Sequence, residues 1–149
     1  MNAEKIRITK RFSFEMGHAL NNYDGKCRFL HGHSYKLYVT ILGHIKNELD
    51  APKDGMVIDF STLKQIVNDE IIEVYDHSFV VNKNDKRKFS LPDISQRTIL
   101  FEVQPTCENL LVHFKNIVIE KLPKDLQLVN MKLYETENSF AEWDINDQA

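Results

Sequence analysis

The chain has 149 residues, 42% hydrophobic and 28% charged, an ordinary composition for one soluble globular domain with a sizeable core. A net charge of −3 with no basic stripe argues against nucleic acid as the main partner. Cys27 and Cys107 are too few for a disulfide framework, no run is long enough to span a membrane, and Met1-Asn2-Ala3-Glu4-Lys5 shows no apolar signal core, so the expectation is a reduced, cytoplasmic protein.

Residues 5–14 alternate, with Ile6, Ile8, Phe12 and Phe14 on one parity and Arg7, Thr9, Arg11 and Ser13 on the other, the pattern of a half-buried strand. The alternation breaks over 15–30, where Asn21-Asn22-Tyr23-Asp24-Gly25 is a turn cluster. It returns over 33–45 with Tyr35, Leu37, Val39 and Ile41 on one face, the parity of His31 and His33. Asn47 to Gly55 reads as a polar loop. Residues 60–75 read as a helix, with Leu63, Ile66, Val67 and Ile71 at helical spacing and Asp59 or Ser61 as cap. The charged run 83–88 reads as a solvated loop, although a triphosphate-bearing substrate could use its charge. Residues 97–103 suggest a short strand. Thr106 caps a second helix carrying Leu110, Leu111, Phe114 and Val118, which ends at Pro123. Residues 126–135 and 139–145 suggest two final strands. The order predicts a single α+β domain over 1–149, an antiparallel four-stranded sheet with two helices packed on one face. The other face is left to solvent or to neighbouring subunits.

Polar clusters interrupt this pattern. In Cys27-Arg28-Phe29-Leu30-His31-Gly32-His33, two imidazoles at i and i+2 project from the same face of a strand and can share one metal ion, with the thiol close by as a reactive group. With His18, three imidazoles and an open position match a catalytic zinc site, whereas structural sites are closed by four protein ligands. An isolated His-x-His pair is more often structural. Asp76-His77 can relay protons, or can simply end the first helix, where a histidinium favours the dipole. Thr106 and Glu108 can cap the second helix or line a pocket. Glu135 can be an exposed strand-end acid, or can accept the adjacent N–H donors of a guanine-like ring. Cys107, His44 and His113 read as structural. No phosphate-binding glycine loop and no Gly-x-Ser-x-Gly elbow is present.

Phe12-Ser13-Phe14-Glu15-Met16-Gly17-His18, Cys27-x-x-x-His31-Gly32-His33, Val57-Ile58-Asp59-Phe60, Asp76-His77, Pro105-Thr106-Cys107-Glu108-Asn109-Leu110 and Tyr134-Glu135-Thr136 occur in one order along nearly the whole chain. In that order they resemble the 6-pyruvoyltetrahydropterin synthase and 6-carboxytetrahydropterin synthase family. The resemblance implies the tunnelling fold, assembling into an oligomeric barrel with active sites at subunit interfaces. It implies Zn2+ held by His18, His31 and His33. Cys27 matches the catalytic cysteine, and Asp76 and His77 match its partners from an adjacent subunit. Glu135 matches the carboxylate that anchors the pterin, with Thr106 and Glu108 around the same pocket. Met16-Gly17 stands where many relatives carry two alanines, and Cys107 where a small residue is common.

The three-residue spacing between Cys27 and His31 looks like the 6-carboxytetrahydropterin synthase branch of queuosine and other 7-deazapurine biosynthesis. The implied activity is a zinc-dependent lyase that converts 7,8-dihydroneopterin triphosphate to 6-carboxy-5,6,7,8-tetrahydropterin, acetaldehyde and triphosphate. The alternatives are 6-pyruvoyltetrahydropterin synthase activity, which keeps the carbon skeleton, and a non-catalytic pterin-binding module. A structural zinc protein is a third class, and would close its metal with four ligands.

Overall fold

Alternating apolar residues build a sheet of six strands, and two helical runs cover its apolar face. The computed structural model describes residues 4–90 and 97–149; Met1-Asn2-Ala3, part of the segment read as lacking a signal core, lies outside them. The strands are β1 (Lys5–Ala19), β2 (His31–His44), β3 (Ser78–Asn82), β4 (Thr98–Phe101), β5 (Gln127–Thr136) and β6 (Ser139–Asp144). Their order across the sheet is β4-β3-β1-β2-β5-β6. The β1–β2, β2–β5 and β5–β6 ladders are antiparallel, while β3 runs parallel to β1 and β4 parallel to β3. The sheet is therefore mixed and six-stranded, not the expected antiparallel sheet of four.

Three departures produce that difference, one being that the short strand expected over 97–103, which the sheet of four left out, joins it as β4. The first strand does not stop at residue 14 but continues to Ala19, because Met16 and His18 keep the inward parity of Phe12 and Phe14. Ser78–Asn82, with no strand expected, forms β3; its short run is buried through its pairing with β1 and β4, a parallel contact that local periodicity does not report.

Helix α1 (Phe60–Val67) starts at Asp59, whose carboxylate accepts the Ser61 N–H at 2.8 Å. It runs on through a π-helical turn at Asn68–Ile72 into a last turn at Glu73–Tyr75. Helix α2 (Cys107–Lys121) is capped by the Thr106 hydroxyl, which accepts the Asn109 N–H at 3.2 Å, and the chain turns out at Leu122 before Pro123. Leu63, Val67 and Ile71 from the first helical run and Leu110, Phe114 and Val118 from α2 share one core with Phe14, Tyr35, Leu37, Val39, Met131 and Leu133. Phe14 stacks on Tyr35 at 5.1 Å between centroids and meets the Phe114 ring edge-on at 5.9 Å. Each such fully buried side chain contributes about 1.5–3 kcal/mol by leaving water.

The opposite sheet face is mostly polar. Thr9 and Thr40 share a hydrogen bond of 2.7 Å, and Asn130 donates to Glu142 and Asp144. Tyr38, Tyr134 and Phe140 form an aromatic ladder there, with centroids 5.6 and 4.4 Å apart.

Candidate functional site

The β1–β2 register sets His18 directly opposite His31, with His33 paired to Met16 two residues along. Alternation turns all three imidazoles toward the core face, where ring centroids stand 4.6, 4.9 and 5.2 Å apart. One ligand nitrogen from each lies within 4.8 Å of the others. The ring orientation is set by backbone carbonyls. His18 Nδ1 donates to Pro105 O at 2.7 Å and His31 Nδ1 to Phe29 O at 2.7 Å, which leaves their Nε2 atoms as lone-pair donors.

The Nε2 atoms of His18, His31 and His33 are all buried without a hydrogen-bond partner. Buried polar atoms almost always have one, so three orphaned nitrogens converging on one point call for a cation. Burial holds His18 and His33 below the ordinary histidine pKa, and their positive neighbours reinforce it once charged; the Pro105 carbonyl and Glu135 oppose this only in part. Neutral imidazoles are the form that coordinates metal. No fourth protein ligand joins the cluster among the described residues, so a bound ion would keep an open coordination position.

Glu135 reaches this point from a bulge. The β5–β6 register skips from Tyr134 to Thr136, leaving Glu135 unpaired, a device that re-aims a side chain. Its Oε1 stands 3.4 Å from His18 Nε2 and 3.6 Å from His33 Nε2. Those separations exceed ordinary hydrogen bonds, as expected between a carboxylate and neutral imidazoles.

A cavity of about 450 Å³ opens beside the imidazoles, lined by His18, Cys27, Thr106, Cys107, Glu108 and Glu135. Of the three expected ligands only His18 lines this space, together with the thiol, Thr106, Glu108 and Glu135, while His33 borders a second cavity. Cys27 is exposed, lies in the 3-10 turn Lys26–Arg28, and is not one of the clustered ligands. The cavity wall also includes Ser139, Phe140, Ala141 and Glu142 from β6. Sequence reasoning passed over these, because nothing in a short strand marks which of its residues close a distant pocket. It also passed over Tyr35, whose ring packs 5.6 Å from His33 and whose buried hydroxyl lacks a partner; burial pushes its pKa well above the usual phenol range.

Asp76 and His77 are not brought to that cavity. His77 adopts a left-handed φ of 59°, and its N–H donates to Glu15 O at 2.6 Å while Asp76 Oδ1 accepts the Glu15 N–H at 2.8 Å. The pair is thus latched to β1, with His77 Nδ1 3.0 Å from Asp76 Oδ2. Burial opposes ionisation of Asp76, but the Glu15 N–H and His77 outweigh it and hold its pKa below the ordinary value. The His77 side chain is 74% exposed and borders a second cavity, of about 380 Å³, with Glu15, Gly17, Gly32, His33 and Ser34. At Gly17 a Cβ would lie 2.4 Å from the Phe79 ring, so the ring occupies the space an alanine would need.

Cys107 donates to Leu133 O at 3.2 Å, and burial pushes its thiol up to about 11, as suits a structural residue that happens to line the cavity. Burial lowers the His113 pKa, and its Nε2 lies 2.8 Å from the Tyr75 hydroxyl. No helix among the described residues is long and apolar enough to cross a membrane.

An imidazole triad at the mouth of an α+β sheet, open on one side to a thiol and a carboxylate, defines a candidate metal centre with room for a small molecule. Residues 7–146 match the 6-pyruvoyl tetrahydropterin synthase family, and the chain belongs to that family. It is 36% identical over 141 residues to the 6-carboxy-5,6,7,8-tetrahydropterin synthase of Rickettsia felis, covering 92% of this chain and 99% of that protein. It is also 36% identical over 142 residues to the protein of the same name from Haemophilus influenzae, covering 93% and 98%. Among solved structures, the 6-pyruvoyl tetrahydropterin synthase of Caenorhabditis elegans superposes with a TM-score of 0.69 at 20% identity, covering 97% of this chain and 98% of that one. An uncharacterized Wolinella succinogenes protein gives a TM-score of 0.80 at 19% identity, covering 96% and 99%. At these identities the structural likeness speaks for the fold.

Proposed function

We propose that the protein is a zinc-dependent 6-carboxytetrahydropterin synthase, a carbon–carbon lyase that converts 7,8-dihydroneopterin triphosphate and one water to 6-carboxy-5,6,7,8-tetrahydropterin with release of acetaldehyde and triphosphate. On this reading it serves queuosine and 7-deazapurine biosynthesis. The observation that carries the proposal is the convergence of three orphaned imidazole nitrogens on one point, with His18 lining a cavity that also holds Cys27 and Glu135. The names of the bacterial relatives support the carboxy product over the pyruvoyl one.

His18, His31 and His33 hold Zn2+, the ion that suits three nitrogen ligands and an open position. When bound, it supplies polarisation of substrate oxygens and stabilisation of charge developing beside them. Glu135 accepts paired N–H donors of the pterin ring and so orients the side chain toward the imidazoles. Thr106 and Glu108 border the same pocket. Cys27, free of the ligand set, moves protons at the substrate's side-chain carbons. Asp76 and His77, apart from Cys27 within one subunit, complete the proton relay in a neighbouring subunit's site, which makes the active enzyme a homo-oligomer.

The test separates metal from thiol. Chelation should abolish turnover of dihydroneopterin triphosphate, and added Zn2+ should restore it. Cys27→Ala should keep zinc and bind pterin yet lose turnover by at least about 10²-fold, the lower end of general acid–base contributions. Near-normal turnover in that variant would remove Cys27 from the chemistry, and full activity without metal would remove the zinc.

A further inference from the structure

We infer that Arg87 is the positioning residue of the Cys27 thiol, gripping the backbone on both sides of it with a fork anchored on the sheet; the inference rests on the proposed catalytic role of Cys27. The segment between β1 and β2 that carries Cys27 is exposed and closed mainly by its own bonds. Leu20 N–H donates to Cys27 O at 2.9 Å, Arg28 N–H to Gly25 O at 3.2 Å and Phe29 N–H to Lys26 O at 3.0 Å. Such bonds shape a loop without fixing where it stands against the rest of the molecule. At its entry, Gln104 holds Asn21 by accepting the Asn21 N–H at 2.9 Å and donating to Asn21 O.

At Cys27 itself the grip comes from Arg87. Its Nη1 donates to Arg28 O, and its Nη2 to Leu20 O at 3.1 Å. Arg28 follows the cysteine directly, and Leu20 is the residue bonded to the Cys27 carbonyl, so the guanidinium bridges the two ends of the turn that presents the thiol. The fork is held in turn by Asp85, which accepts Nε at 3.0 Å and Nη2 at 2.8 Å. Asp85 is 2% exposed, and its N–H donates to Asn82 O at the end of β3. Bidentate Arg–carboxylate pairs fix geometry as well as charge. A line of polar contacts therefore runs from β3 through Asp85 and Arg87 to both flanks of Cys27.

The same geometry decides between two uses of the charged 83–88 run. A phosphate-binding arginine needs free N–H groups. Here Nε, Nη1 and Nη2 are engaged in four bonds out of the five N–H donors a guanidinium carries. Lys83 is paired with Glu102. Lys88 donates to Lys83 O. Lys83, Arg87 and Lys88 are thus engaged within the protein, and the effect of Arg87 on the reaction passes through the position of the thiol.

The experiment uses the zinc-loaded enzyme and compares Arg87→Lys with Asp85→Asn. Lysine keeps the charge but cannot span two carbonyls and a carboxylate. With dihydroneopterin triphosphate, R87K should lower kcat roughly 10- to 100-fold, the scale of a small misplacement of a reacting group. KM should stay within about 3-fold and zinc content should be unchanged. D85N should act in the same direction with a smaller loss. The rate at which iodoacetamide alkylates Cys27, followed by peptide mass, should change at least about 3-fold in R87K, because thiol reactivity follows its surroundings. Because Arg87→Ala alone would strand the buried Asp85 carboxylate, the truncation is made as R87A with D85N, and it should reproduce the R87K pattern. Wild-type kcat in folded, zinc-loaded R87K would overturn the inference, as would an unchanged alkylation rate or a rise confined to KM, the mark of a phosphate contact. Near-normal turnover of Cys27→Ala would instead overturn the role of the thiol, and the alkylation rates would still report whether Arg87 holds its place.

Discussion

Two of the three imidazoles in the triad are oriented by backbone atoms. Pro105 O and Phe29 O take the Nδ1 protons of His18 and His31, so their Nε2 lone pairs are already aimed when an ion arrives. Burial lowers the pKa of His18 and His33, so protons compete poorly for these nitrogens near neutrality. Unfolded, both titrate near 6.5; folded, they titrate lower, and the unfolded chain binds more protons between those values. Their contribution to stability is therefore complete above pH 6.5 and is lost as pH falls toward the folded values. Thermal melts of the metal-free protein should show a falling midpoint as pH drops below about 6.5, and dialysis with metal analysis should show ion release in the same acid range. A flat midpoint from pH 7 to 5 would contradict the neutral-imidazole account. His31→Ala should lose metal and activity while far-ultraviolet circular dichroism stays native, because the core of Phe14, Tyr35, Leu37 and Phe114 does not depend on the ion. At this scale the triad was legible, since alternation puts His31 and His33 on one face. The carbonyl acceptors were not, because Pro105 lies 87 residues from His18 along the chain.

Among the elements, the alternating strands and the apolar faces of both helices were readable from local periodicity. What escaped was non-local. The continuation of β1 to Ala19 puts a polar His18 on the inward parity and a glycine at 17, neither of which reads as strand locally, yet the ladder runs on unbroken to His31 and Gly32. Strand β3 owes its place to parallel neighbours, and the Glu135 bulge depends on the register of β6. Helix α2 is the element that ties the sheet to the pocket, since Phe114 is fully buried against Phe14 while Thr106 and Glu108 at its start line the cavity. Phe114→Ala should cost about 3–5 kcal/mol in denaturant unfolding, the range for a buried aromatic truncated to alanine. The folded variant should still bind metal, because the imidazoles stand on β1 and β2. A cost below about 1 kcal/mol would show that α2 packs less closely than described.

For the whole molecule, the separation of Cys27 from Asp76 and His77 is the fact that reaches beyond one chain. The thiol borders one cavity and the His77 imidazole another. If a catalytic set needs both, it is completed between subunits. The polar outer face of the sheet, with Arg7, Arg11, Ser13 and Glu15 exposed, gives that assembly little apolar drive, apart from the Tyr38, Tyr134 and Phe140 ladder. Light scattering should report a mass of several chains. Mixing inactive Cys27→Ala with inactive His77→Ala subunits should restore part of the activity, and a monomeric mass or no recovery would contradict shared sites.

The most direct test of the account is the fate of the substrate's carbons. On the proposed reading Glu135 would hold the pterin ring whichever product forms, so binding alone does not separate the outcomes. Mass spectrometry of the zinc-loaded enzyme's products from 7,8-dihydroneopterin triphosphate should find acetaldehyde and a carboxylated tetrahydropterin in equal amounts. A pyruvoyl product retaining every side-chain carbon, with no acetaldehyde, would contradict the proposed reaction.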